Sequence, residues 1–154
     1  MRTALLVVPV NTEASWQSEF KKWTNGLKPS MLVWLLSDLR PEARSNAIDQ
    51  WISRGGVFIV SKDSFARTAK AKPVLLSKAD VVVVDEAHLA LSNRSNVLYK
   101  ALECIETKRR ILLTGSPFQN NGEVASASNA QGSFDSRYLF SQSISCCQSW
   151  NIFV

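Results

Sequence analysis

The chain has 154 residues, 45% hydrophobic and 20% charged, with a formal net charge of +5; this is about one globular domain, and it excludes fibrous and disordered classes. One histidine, His88, and three cysteines, Cys104, Cys146 and Cys147, without a C-x-x-C spacing exclude H-E-x-x-H chemistry and zinc-finger frameworks and point to a reducing compartment. No apolar run approaches the roughly 18 residues of a spanning helix, and the positive excess suggests a polyanionic partner.

Residues 4–10 form a continuous apolar, β-branched run of the kind a strand buried on both faces requires. Asn11 and Thr12 then offer caps for a helix in which Trp16, Phe20, Trp23 and Leu27 recur at spacings of four, three and four, a stripe expected to face a sheet. Residues 31–36 suit a strand or a buried helix. Pro41 opens a second helix carrying Ala47, Ile48, Trp51 and Ile52 on one face, stopped by Gly55 and Gly56. Strands are expected again at 57–60, 81–84 and 111–113. Ser92 or Asn93 caps an intervening helix with Val97, Leu98, Ala101, Leu102 and Ile105 as its stripe, and Lys108, Arg109 and Arg110 suit its negative end. Strand and helix alternate throughout, which predicts an open α/β parallel sheet flanked by helices, with chemistry at the carboxyl ends of its strands.

Three segments fall at such ends. In residues 81–88, four valines lead into Asp85, Glu86 and His88. Asp85 suits a magnesium ion held through water, Glu86 suits acceptance of a proton from an attacking water, and His88 suits a coupling or relay role. An acidic strand end feeding a helix N-terminus accounts for the same carboxylates without chemistry. Residues 111–121 run from a buried strand into Thr114, Gly115, Ser116 and Pro117, either a hydroxyl-bearing site turn or an ordinary loop. The 29 residues between Asp85 and Thr114 fit one crossover helix between neighbouring parallel strands. At the first strand's end, Pro9, Asn11 and Thr12 can present backbone N–H groups and a hydroxyl to a phosphate, although capping explains Asn11 and Thr12 equally and core packing explains Trp16, Phe20 and Trp23.

In this order and spacing, LLVVPVNT with Trp16, Glu19, Phe20, Lys22 and Trp23, then DEAH at 85–88, then LTGSPFQNN at 113–121 resemble the first ATPase lobe of Swi/Snf-type chromatin-remodelling ATPases of helicase superfamily two, nearest the ATRX-like branch. The resemblance covers residues 3–121 and implies a RecA-like lobe that hydrolyses ATP to move along duplex DNA in the nucleus, with chromatin proteins as partners. It implies Asp85 and Glu86 as the magnesium and water-activating pair, His88 at the nucleotide site, and Thr114, Gly115, Ser116 and Gln119 as the coupling motif. VFIVSKDSF at 57–65 resembles the family segment that touches a nucleic-acid backbone, so Ser61 and Lys62 join Pro9, Asn11 and Thr12 as expected contacts.

Some family parts have no counterpart in these 154 residues. No Gly-Lys-Thr phosphate loop precedes residue 4, and no second lobe with its arginine follows. The expectation is therefore an incomplete lobe over residues 1–121, binding ATP and magnesium poorly and catalytically incomplete by itself; a non-catalytic DNA- or protein-binding module is the alternative. Of the charged residues only Glu123, Asp135 and Arg137 lie beyond residue 121. Residues 122–154, serine-rich and without periodicity, are read as an unassigned tail outside the fold, beyond a splice or gene-model junction or a diverged terminus.

Overall fold

A computed structural model describes residues 2–27, 30–114 and, for the backbone, 138–142. Six strands, β1 (Thr3–Val8), β2 (Val33–Leu35), β3 (Gly56–Ser61), β4 (Val81–Val84), β5 (Arg110–Thr114) and β6 (Tyr138–Gln142), form one parallel sheet in the order β2-β3-β1-β4-β5-β6. Between them lie α1 (Glu13–Thr24), α2 (Pro41–Arg54), α3 (Lys62–Ala71), α4 (Val74–Ser77), α5 (Ala87–Leu91) and α6 (Val97–Glu103). This is the helix-flanked parallel α/β sheet expected of an incomplete RecA-like lobe. Among the described residues no helix is long and apolar enough to cross a membrane.

The period-two alternation of each strand divides the core in two. Leu5, Val7, Phe58, Val60, Val82, Val84 and Leu112 face α2 to α6, which contribute Ile48, Trp51, Phe65, Leu75, Ala87 and Leu102. Leu6, Val8, Val57 and Ile59 face the other way, against Trp16 and Phe20 of α1. Strands flanked on both sides by apolar side chains read as unbroken valine and leucine runs, which is why they were legible.

Several local expectations shift. Trp23 is 67% and Leu27 52% exposed, so the α1 stripe ends at Phe20; Trp23 instead donates its indole N–H to Glu19 Oε2 at 2.7 Å on the same helix. Neither Asn11 nor Thr12 caps α1 through its side chain: the Thr12 hydroxyl turns back to the Pro9 carbonyl at 3.0 Å. Asn96, not Ser92 or Asn93, caps α6, its Oδ1 accepting the Leu98 N–H at 3.0 Å. Val97 is exposed because it precedes the packed spacing of Leu98, Ala101 and Leu102. The run at 31–36 becomes the short β2 followed by a 3-10 turn at Leu36–Asp38. Helix α3, which the sequence reading passed over, carries Phe65 and Ala69 four residues apart into the core.

Residues 138–142 lie parallel to β5, pairing Arg110 with Tyr138 through Thr114 with Gln142. This differs from the expectation that nothing after residue 121 joins the fold. The backbone of an edge strand offers unpaired N–H and C=O groups that any extended segment can meet, without an apolar pattern to announce it.

Candidate functional site

All the strands run the same way, so the carboxyl ends of β1, β3, β4 and β5 share one edge of the sheet. That edge collects Pro9, Asn11 and Thr12 after β1, Ser61 closing β3 and Lys62 after it, Asp85 to His88 after β4, and Thr114 closing β5. Gly115, Ser116 and Gln119 lie outside the described residues.

Asp85 extends the β4 ladder, its N–H donating to the Val7 carbonyl at 2.9 Å. Its side chain is gripped twice: the Trp16 indole N–H donates to Oδ2 at 2.9 Å, and the Glu86 backbone N–H donates to Oδ1 at 2.9 Å. Each oxygen retains a further lone pair, so an oriented carboxylate can still face a hydrated cation. Among the described residues no group of three or more potential metal ligands occurs. An adjacent Asp85–Glu86 pair is the kind of donor set magnesium takes, since it keeps much of its water and binds one or two carboxylates plus substrate phosphates.

The chain reverses sharply after Asp85. Glu86 adopts φ 46° and ψ 51°, the left-handed region, and is the one described non-glycine residue with positive φ. An L side chain there is disfavoured by roughly 1–2 kcal/mol, and such residues cluster at functional sites. The turn starts α5 and sets His88 beneath the end of β5, where its Nδ1 lies 2.8 Å from Thr114 Oγ1 and 3.2 Å from Glu86 Oε2. One imidazole thus touches both the DEAH segment and the strand that enters LTGSPFQNN.

Lys62 points into this cluster. Its Nζ donates to the Glu86 carbonyl at 2.7 Å, and burial pulls its pKa below the ordinary lysine value, against the opposing pull of Asp85, Glu86 and Asp63. Ser61 is 4% exposed. Of the five expected nucleic-acid contacts, Asn11 is open to solvent, Pro9, Thr12 and Lys62 are half-buried, and Ser61 is buried. Two residues near this edge were not expected there. Trp16, read as core, reaches Asp85 across 69 positions of sequence, and Glu13, 5% exposed, opens α1, where the helix N-terminus favours its charge.

A family model, SNF2-related domain, matches residues 1–128. The chain is 38% identical over 136 residues to human "Transcriptional regulator ATRX", 33% over 133 to Arabidopsis thaliana "Protein CHROMATIN REMODELING 20", and 35% over 126 to "DNA repair and recombination protein RAD54" of Oryza sativa subsp. japonica. Those alignments cover 77%, 79% and 80% of this chain but only 5%, 9% and 12% of the three relatives.

Proposed function

The chain belongs to the SNF2-related family of Swi/Snf-type remodelling ATPases, and from that premise we propose that it carries the water-activating half of the first motor lobe of an ATP-dependent DNA translocase acting on chromatin in the nucleus. Asp85, oriented by Trp16 and its own backbone turn, would hold a hydrated magnesium ion together with Glu86. When bound, that ion neutralises charge on the nucleotide phosphates. Glu86 accepts the proton of the attacking water. His88 passes the state of Glu86 to Thr114, and through Gly115, Ser116 and Gln119 to the rest of the motor. Pro9, Asn11 and Thr12 form the turn that meets a phosphate backbone.

The observation that carries this reading is the single His88 nitrogen, Nδ1, that meets both Glu86 Oε2 and Thr114 Oγ1. An acidic strand end serving only as a helix start has no need of a third residue joining it to the next strand. Motors that convert hydrolysis into movement need such a connection.

The 154 residues contain no Gly-Lys-Thr sequence, and positioning of the phosphates dominates phosphoryl transfer. Losing about three charge-assisted hydrogen bonds at roughly 1.5–3 kcal/mol each removes on the order of 5 kcal/mol of nucleotide binding. The chain by itself is therefore expected to release phosphate from MgATP negligibly, with or without duplex DNA. DNA-stimulated turnover abolished by Glu86→Gln would overturn that incompleteness. Magnesium titration carried to tens of millimolar, where weak binding is still visible, and followed by amide and indole NMR tests the site directly: shifts centred on residues 85–88 and the Trp16 indole, lost in Asp85→Asn, support it, and a response elsewhere or none at that concentration refutes it. Duplex binding should weaken with salt at a slope of about −0.9 per phosphate neutralised.

A further inference from the structure

Four contacts surround the left-handed Glu86. Its N–H donates to Asp85 Oδ1 and its Oε2 lies against His88 Nδ1, but both partners belong to the same short segment and move with it. Its carbonyl accepts the Leu89 N–H of the same segment at 3.1 Å and, from outside that segment, the Lys62 ammonium at 2.7 Å, 24 residues away. Lys62 opens α3 directly after the buried β3, and Phe65 and Ala69 of that helix are buried, so its stem starts from a fixed frame.

A lysine that binds backbone phosphate keeps its ammonium in solvent, where the partner arrives. The Lys62 side chain is instead half-buried and its ammonium donates to the Glu86 carbonyl at 2.7 Å, with burial lowering its proton affinity against the attraction of Asp85, Glu86 and Asp63. Glu86 is also the described non-glycine residue whose backbone most needs holding, because nothing intrinsic to an L residue favours φ 46°.

We propose that Lys62 is a positioning residue for Glu86, its ammonium holding the left-handed turn after β4 through the Glu86 carbonyl, and that it is not a phosphate contact. The role matters to hydrolysis only if Glu86 is the proton acceptor proposed above, whereas the clasp itself is a property of the fold. Removing the ammonium frees the turn to relax toward right-handed backbone and swings the Glu86 carboxylate away from His88.

The test uses the 154-residue chain and its Lys62→Met, Lys62→Arg, Glu86→Gly and Lys62→Met/Glu86→Gly variants. Amide hydrogen exchange is read over residues 84–92, the His88 ring by ¹⁵N shifts, and duplex binding against salt. Lys62→Met should speed exchange in 84–92 by about tenfold or more and shift the His88 nitrogens, and Lys62→Arg should restore both. In the Glu86→Gly background, where glycine adopts positive φ without strain, Lys62→Met should change exchange by less than about twofold. The salt slope should stay at its parent value. Unchanged exchange in Lys62→Met, an equal increase in the Glu86→Gly background, or a slope shallower by about 0.9 would each overturn the proposal. If Lys62→Met loses protection throughout, recovery in the double variant supports the clasp and failure to recover refutes it. A parent chain that binds no DNA would sink the translocase reading while leaving the exchange result to decide this one.

Discussion

At the amino ends of the strands, the Asp80 carboxylate accepts the backbone N–H groups of Arg2 and Thr3, and the Thr3 hydroxyl donates to the Lys78 carbonyl at 2.6 Å. Nearby, Thr107 donates to the Asp80 carbonyl at 2.9 Å, and the buried Arg110 guanidinium donates to the carbonyls of Ile105 and Thr107. At the carboxyl ends of the same strands, side chains also meet one another: Trp16 on Asp85, and His88 Nδ1 on both Glu86 and Thr114, while Lys62 donates to the carbonyl of a strained turn. The first pattern ties loops to the sheet, and its positive-φ positions, Gly55 and Gly56, are glycines that adopt them without strain. The second holds charged groups in defined orientations at a cost in backbone strain, and it belongs to the edge where parallel sheets bind ligands. The two ends of one sheet thus differ in how they hold their polar groups, and the proposed site lies at the strained end.

The sharpest way to break that comparison is at Gly56, where β3 starts with φ 103° and a Cβ would sit 2.2 Å from the Leu32 carbonyl oxygen. Both the backbone angle and the backbone contact forbid a side chain, so Gly56→Ala should cost about 3 kcal/mol. The expected signature is a lower urea midpoint at constant m. A loss under about 1 kcal/mol would show that the amino edge yields more readily than its geometry implies.

At the opposite edge the sign should reverse. Glu86→Gly should stabilise the chain by about 0.5–1 kcal/mol relative to Glu86→Gln, because glycine relieves the left-handed strain while glutamine keeps it. Thermal or urea unfolding of the two variants side by side decides the matter, and equal stabilities would mean that the turn stores no strain. A gain on removing the proposed proton acceptor is what a site built for chemistry predicts.

The smallest effect is expected at Asp80. The backbone N–H groups of Arg2 and Thr3 hold its carboxyl below its ordinary 3.8. A carboxyl depressed in the folded state stabilises it above the unfolded value, and the gain is lost as pH falls through the folded one. Asp80→Asn should therefore be the less stable chain at pH 7, with the gap closing below about pH 3.8. A difference that is the same at pH 7 and in acid would remove the carboxylate from the account of the amino edge.

Most of the sheet was legible because strands covered on both faces must be apolar at every position, and the runs at 4–10, 57–60, 81–84 and 111–113 carry that requirement openly. That the strands leading into Asp85 and Thr114 are parallel neighbours was legible for a different reason, since their separation by one crossover is a local fact. Helix α3 was missed because its buried face is only Phe65 and Ala69 amid polar neighbours. The strand at 138–142 was missed because edge pairing acts through backbone groups that every residue carries.

Sequence by itself determined the alternation of strands and helices, the parallel sheet with its carboxyl edge as the place for chemistry, and the family to which the chain belongs. Tertiary structure alone decided that Trp16 serves Asp85 as well as the core, that Lys62 turns inward to the Glu86 carbonyl, and that His88 bridges Glu86 and Thr114. Each of those contacts except His88 with Glu86 joins residues 24 to 69 positions apart. Apolar periodicity records which face of an element is buried, but the direction of an indole N–H or an ammonium depends on which strand ends the sheet order sets side by side.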